Sequence, residues 1–389
     1  MLKIGITTHY FNSTNYGGNL QAYALCRYLN NHGFDAVQIS YDRSLDNPLP
    51  KSLIGRGKRY LRKFHNKLKK LPTDLKTLSV RDEIAKRQKA VLEFNQSIPH
   101  TKTYNAQNIS SVVDEFDVFI TGSDQVWNPL AVCSAYLLDF VNYEKKFKIS
   151  YAASISANEL PVHIIERYKS SLKDYFAISV RENQAIQLLQ SCTDKTIDLV
   201  LDPTLLLNFD EWNNIKISSD IREHYLFCYF LGNSHEQREL AQKFAQTHNL
   251  KIVTIPYLNG TFRNCDKNFG DIKLSDVSPE KFIGLITGAE YVFTDSFHAT
   301  VFSVLFQKQF FVFDRIIKQS LGSRIKDLTA LFDMEDRFCN TTERMSLDYI
   351  QSVNTIDYSQ RFSKYEEMKT SSETFLLDNL HKVKDMINK

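Results

Sequence analysis

Glycine is scarce in this sequence, 13 residues in 389. The two that adjoin, Gly17 and Gly18, therefore say more than a pair would in a glycine-rich chain. Long apolar runs are also missing. None approaches the ~20 residues of a membrane span, and VFSVLFQKQFFVF is broken by Gln307, Lys308 and Gln309. The opening MLKIGITTHY reads as a strand rather than a signal peptide. The six cysteines, at 26, 133, 192, 228, 265 and 339, show no CxxC spacing. That argues against zinc ribbons and dithiol motifs and fits reduced structural thiols in a cytosolic protein. There is no internal repeat, no low-complexity tract, no GxGxxG dinucleotide fingerprint and no nucleophile-elbow serine or cysteine. No Asp, His or Glu cluster has metal-ligand spacing, so no metal and no cofactor is expected. Net charge is only +3.

What is present is apolar mass with a regular rhythm. With 43% hydrophobic and 12% aromatic residues, the chain can bury two ordinary cores, which makes two domains the default. LKIGITT, a helical pattern over 19–31 and DAVQISY form a βαβ opening. After an insertion at about 44–105 come DVFITGSDQVW, KFKISYAASI, YFAISVRE and IDLVLDP, with helices near 161–174 and after YFAISVRE. This first α/β domain spans 1–208. A second, over 220–345, runs through HYLFCYFLG, KIVTIPY, YVFTDS and QFFVFDR, with helices at 235–248, 279–289 and 323–332. Residues 346–389 follow as a helical segment. Both series read as doubly wound, Rossmann-like parallel sheets facing a cleft.

Ligands of open α/β sheets bind beyond the carboxyl ends of the strands. The polar stretches there are THYFNSTNYGGNLQ, TGSDQVWNP, YAASISAN, SVRE, LDPT, PYLNG, TDSFH and FDR. In TDSFHATVFSVLF, Ser296 is the expected N-cap, so that the helix starts at Phe297 and His298 lies in its first turn, beside free amides and the positive dipole end. An anion fits there; so does a satisfied structural histidine. Asn15, Gly17 and Gly18 read either as an anion-binding turn or as a plain turn whose glycines supply unusual dihedrals. Ser123, Asp124 and Gln125, followed by Trp127 and Asn128, read as cleft residues or as a polar turn with Trp127 in the core. Arg181 at a buried strand end must pair, with Glu182 or Asp202 as candidates, or hold a ligand carboxylate or phosphate. Arg315, Lys318 and Arg324 follow the next strand, where they hold an anion or only solvate a loop.

NYGGNLQAYAL, GSDQVWNP, SYAASI, SVRE, LDPTLLL and TDSFHATVFSVLF, in this order over 15–306, resemble the polysaccharide pyruvyl transferase family. The resemblance implies a GT-B-like fold and transfer of a pyruvyl unit from phosphoenolpyruvate (PEP) onto a sugar of a cell-surface or exopolysaccharide precursor as a ketal. It maps the Ser-Phe-His element onto Ser296, Phe297 and His298, the strand-end arginine onto Arg181, and a serine-arginine pair onto Ser323 and Arg324. Ala299 departs from the glycine usual in the family and bears on pocket detail. His298 and Arg181 are then the expected catalytic residues, with Ser296, Phe297, Ser323 and Arg324 holding the donor. Asn15, Gly17, Gly18, Ser123, Asp124 and Gln125 fall on the acceptor side, in the first domain. A GT-B glycosyltransferase using a nucleotide sugar, and a non-catalytic polysaccharide-assembly protein, are the competing readings.

The insertion adds one signal. KSLIGRGKRYLRKFHNKLKK, residues 51–70, holds nine Lys or Arg and no acid, +9 against −6 for the rest of the chain. Leu61, Phe64, Leu68 and Leu71 recur at helical spacing. Such a helix can lie on an anionic membrane or meet a lipid-linked pyrophosphate, or it is simply solvated. Nucleic acid is not expected, for want of a binding motif. The expected location is cytoplasmic, peripheral to the inner membrane face, and the expected acceptor is lipid-linked.

Overall fold

The computed structural model describes residues 1–46, 80–141, 146–258, 263–315 and 322–389. The basic segment 51–70 and Lys318 lie outside the described residues.

Alternating buried strands and helices build two parallel sheets. The first sets Asp35–Gln38, Lys3–Thr7, Val118–Thr121 and Phe147–Ser150 side by side in that order. Single bridges, Ile149 to Ala177 and Ala153 to Val180, lead on to the strand pair Ile178–Val180 and Ile197–Leu199. The second sheet has six strands, ordered Ile272–Lys273, Lys251–Thr254, Tyr225–Tyr229, Tyr291–Thr294, Gln309–Phe313 and Phe338–Cys339. Every pairing in it is parallel. Each sheet therefore reverses its strand order once: between Lys3–Thr7 and Val118–Thr121 in the first, and between Tyr225–Tyr229 and Tyr291–Thr294 in the second. A crevice opens at such reversals, because the flanking connections leave in opposite directions.

One helix starts near each crevice. Tyr16–Asn31 serves the first sheet and Phe297–Leu305 the second. The sequence pattern starts the first of these at residue 19, but it begins three residues earlier because the Asn15 side chain accepts from Gly17 N and caps it. Gly17 and Gly18 thus lie inside the helix, and neither has positive φ; the unusual-dihedral reading of these glycines is wrong.

The helix Phe297–Leu305 is buried along its whole length, as its nearly uninterrupted apolar sequence requires. It shares one core with the helix Tyr16–Asn31 and with strands of both sheets. The last helix, Ser363–Ile387, returns to the first sheet: Leu376, Leu380 and Val383 enter that same core, and Tyr365 Oη donates to Leu205 O. Across the cleft, Tyr16 stacks on Phe282 at 4.7 Å and its hydroxyl donates to Val277 O. None of the six cysteines is paired with another.

Candidate active site

Two helix starts face each other, and the imidazole of His298 fills the space between them. Ser296 caps the helix Phe297–Leu305 by accepting from Ala299 N at 3.4 Å, as its position in TDSFH predicts. Opposite, a Cβ on Gly17 would stand 1.9 Å from His298 Nδ1. Only glycine permits this approach, since no real Cβ contact is that short. The next residue, Gly18, would bring its Cβ to 2.5 Å from His9 O and 3.4 Å from Asp124 Oδ2. These glycines serve close packing of backbone on side chains.

His298 Nε2 lies 3.7 Å from Asp202 Oδ2, an ion-pair distance rather than a hydrogen bond, and is otherwise enclosed. Asp202 comes from the LDPT stretch of the first domain, so the pair forms only when the domains meet. Its carboxylate is crowded with donors. Oδ2 accepts from Ser123 Oγ at 2.8 Å and Arg181 Nη1 at 2.5 Å, and Oδ1 from Thr204 N at 3.0 Å and Thr204 Oγ1 at 2.6 Å. Burial alone would raise its pKa, but His298, Arg181 and Thr204 outweigh burial and hold it well below the usual carboxylate range. A carboxylate so stabilised takes up no proton near neutrality; it can orient and offset a positive imidazole.

Arg181 takes the structural alternative weighed from sequence. It pairs with Asp202, reaches Asp124 at 3.5 Å and Glu182 at 3.9 Å, and its side chain is 1% exposed. Burial would lower its pKa, yet these carboxylates more than compensate. Asp124, at φ 72°, is likewise held low against the effect of burial, by Arg181, His9, His298 and Arg324. Glu182 is tied to the first domain by Ser154 Oγ and by the amides of Ile155 and Ser156.

Arg324 differs. It is 4% exposed, makes no ion pair or hydrogen bond among the described residues, and is pushed down to about 9 by burial and by the neighbouring Arg181. Phe297 is its platform: the guanidinium carbons of Arg181 and Arg324 lie 4.6 and 5.9 Å from that ring. Ser323, half-buried, precedes Arg324 at the start of the helix Gly322–Leu331. Close by, Asp295 Oδ1 and Oδ2 accept from the Leu231 and Gly232 amides at 2.6 Å each, which fixes the loop at the second crevice. Burial raises the Asp295 pKa although Arg315 opposes it.

Of the residues expected from sequence, His298, Ser296, Phe297, Arg181, Arg324, Asp124, Ser123 and Gly17 come together. Gln125 stands aside: its carbonyl meets His9 Nε2 at 3.2 Å and its side-chain oxygen accepts from Asn128. Asn15 is a helix cap, and Trp127 is core. Sequence reasoning gave Asp202 only as a partner for Arg181 and passed over His9. Position at the crevice end of the first strand was the available signal for His9. It also passed over Arg87, whose guanidinium stacks on Tyr16 at 4.7 Å and donates to Pro256 O across the cleft. Nothing local marked that arginine in a polar helix.

A family model described as polysaccharide pyruvyl transferase matches residues 15–315. No curated protein matches the sequence. Among solved structures, a UDP-N-acetylglucosamine 2-epimerase from Rickettsia bellii is similar at TM-score 0.54 and 12% identity, over 100% of this chain and 98% of that one. A glycosyltransferase from Rickettsia africae gives 0.53 and 11%, over 99% and 98%. The UDP-GlcNAc 2-epimerase of Neisseria meningitidis, bound to UDP-GlcNAc, gives 0.52 and 10%, over 97% and 100%. At these identities the likeness is one of fold, the GT-B-like pair of α/β domains expected from the sequence.

Proposed function

This chain belongs to the polysaccharide pyruvyl transferase family and is a transferase; from that premise we propose that it moves the pyruvyl group of PEP onto two hydroxyls of a saccharide as a cyclic ketal. The observation that carries the reading is a buried arginine that makes no ion pair among the described residues, Arg324, beside the helix start that bears His298. PEP carries both a phosphate and a carboxylate. Arg324, Arg315 and the free amides of the Phe297–Leu305 start supply the cation and donors that such an anion needs. Arg181 supports the site from behind, through Asp202 and Asp124. With His298 and Arg324 both buried, the donor enters as the two domains part.

In the reaction, C3 of PEP gains a proton and C2 becomes electrophilic. One sugar hydroxyl adds to C2, the bond from C2 to the phosphate oxygen breaks, and a second hydroxyl closes the ketal. Two C–O bonds form and one breaks; of the two hydroxyl protons, one balances the proton taken by C3 and the other leaves with phosphate. His298 handles these protons. Asp202 favours a proton on Nε2 and leaves Nδ1 as the exchanging nitrogen. The reading needs no metal and no cofactor beyond the donor.

The acceptor is a saccharide of a polysaccharide precursor, lipid-linked in this reading, and the basic stretch 51–70 is the part that meets the anionic membrane face. Among the described residues no helix is long and apolar enough to cross a membrane.

Phosphate release from PEP, measured with lipid-linked saccharides as acceptors, tests the assignment. His298→Ala should fold, retain donor binding and lose roughly 10²–10⁴ in turnover. A folded variant keeping more than about a tenth of normal turnover removes His298 from the chemistry. Because the solved relatives include a UDP-sugar complex, UDP-GlcNAc serves as the control. Thermal stabilisation by UDP-GlcNAc and not by PEP would replace this reading with that of a nucleotide-sugar glycosyltransferase.

A further inference from the structure

A cavity of about 200 Å³ opens beside the first sheet's crevice, lined among others by His9, Phe11, Tyr41, Asp42, Arg43 and Tyr136. It is smaller than the ~300–1,000 Å³ of sites for drug-sized ligands, a size suited to one sugar ring. Its position is tied to the candidate active site by two consecutive residues. Gly17 rests on His298 and Gly18 on the carbonyl of His9, and consecutive Cα atoms lie about 3.8 Å apart. The cavity and the imidazole therefore flank a single stretch of backbone.

The lining combines apolar ring surface with short-range polar groups. Tyr136 meets His9 edge-on at 4.5 Å and carries the Arg43 guanidinium at 5.2 Å, while Phe11 is only partly buried. The Arg43 charge is already engaged: Nε pairs with Asp46 Oδ2 at 3.1 Å and Nη2 donates to Ala131 O at 2.6 Å. Asp42 caps the short turn Arg43–Leu45 through Oδ1. His9 Nε2 faces the Gln125 carbonyl and must donate to it, which leaves Nδ1 as an acceptor without a hydrogen-bond partner among the described residues. Among the described residues that line it there is no cation left unengaged. Ring faces, a carboxylate and a neutral imidazole acceptor suit the hydroxyls and C–H faces of an uncharged sugar.

We propose that this cavity is the acceptor subsite and takes one neutral pyranose unit, with the hydroxyl pair to be ketalised directed across Gly17 and Gly18 toward His298. The proposal rests on the pyruvyl-transfer reading, and its test separates the two. Methyl glycosides of glucose, galactose, mannose, N-acetylglucosamine and N-acetylmannosamine are titrated by saturation-transfer NMR into the PEP-loaded full chain, and PEP binding is followed separately by thermal shift. At least one glycoside should bind the wild type. Ser44→Trp, which places an indole at the exposed rim of the cavity, and Phe11→Ala, which removes a ring face, should each weaken it by about tenfold or more, with the PEP shift unchanged. Wild-type glycoside affinity in folded Ser44→Trp protein overturns the subsite, as does silence of the whole panel with the wild type. If Ser44→Trp does not fold, Phe11→Ala decides by the same criterion. Loss of the PEP shift in the wild type refutes the donor reading instead, and the glycoside titrations are then read without PEP by the same criteria.

Discussion

Replacing Arg324 by methionine should make the unliganded protein more stable and blind to its donor. The side chain is buried, forms no ion pair or hydrogen bond among the described residues and lies against Phe297, so the substitution gives up that contact and the longer-range attraction of Glu182 and Asp124. The depression of its pKa to about 9 amounts to roughly 5 kcal/mol against the charged form, the net of burial and the neighbouring Arg181 over the smaller opposing pull of Glu182 and Asp124. An unbranched apolar chain of similar length avoids the penalty, and replacing buried charge by well-packed apolar groups gains about 1–4 kcal/mol. Urea and thermal denaturation should place Arg324→Met above the wild type. PEP at about 100 times its Kd should stabilise the wild type by about 2.7 kcal/mol and the variant not at all. The pH dependence has a definite sign. The folded-state pKa, about 9, lies below the unfolded one, so from about pH 9 up to the ordinary arginine range the unfolded chain binds more protons. Wild-type stability therefore gains a contribution as pH rises through that window, and the variant lacks it. A variant less stable than the wild type by more than about 1 kcal/mol, with its PEP response intact, would make Arg324 a structural cation and refute this reasoning.

Gly17→Ala should separate stability from activity: a helix interior prefers alanine by about 0.5–1 kcal/mol, yet the new methyl would collide with His298 Nδ1. Circular dichroism should show a folded protein whose phosphate release is down about 10²-fold; normal turnover would mean the imidazole position is immaterial. Arg181→Ala strands Asp202 and Asp124 in the interior and should cost about 3–5 kcal/mol in urea unfolding, so a loss under about 1 kcal/mol would contradict the pairing. Both carboxylates have folded-state pKa values below the ordinary range; their contribution to stability is complete above the unfolded value of about 4 and drains away as pH falls below it. Acid titration of unfolding should show that loss in the wild type and much less of it in Asp202→Asn, and equal acid sensitivity in the two would count against the assignment.

Much of this was readable in one dimension because the forces concerned are local. Ser296 caps its helix because a serine before an apolar helical run satisfies an amide three residues ahead, whatever the rest of the chain does. The two parallel sheets follow from strands and helices in alternation, since parallel neighbours need a crossover. The glycines show the limit. Gly17 and Gly18 stood out by rarity, but the obvious local explanation, a backbone turn, was wrong, and the operative one is contact with residues far away in sequence.

The sequence by itself determined the two-domain α/β architecture, the capped helix carrying His298 and the crowding of polar groups at strand ends, for these depend on neighbours a few residues apart. Only the tertiary structure decided which charges cancel. Arg181 is consumed by Asp202 and Asp124, while Arg324, expected alongside it, makes no ion pair among the described residues. Asp202 and His298, 96 residues apart in the chain, meet only where the domains close. Charge pairing is set by separations of a few ångströms in a low-dielectric interior, and sequence distance carries no information about those separations.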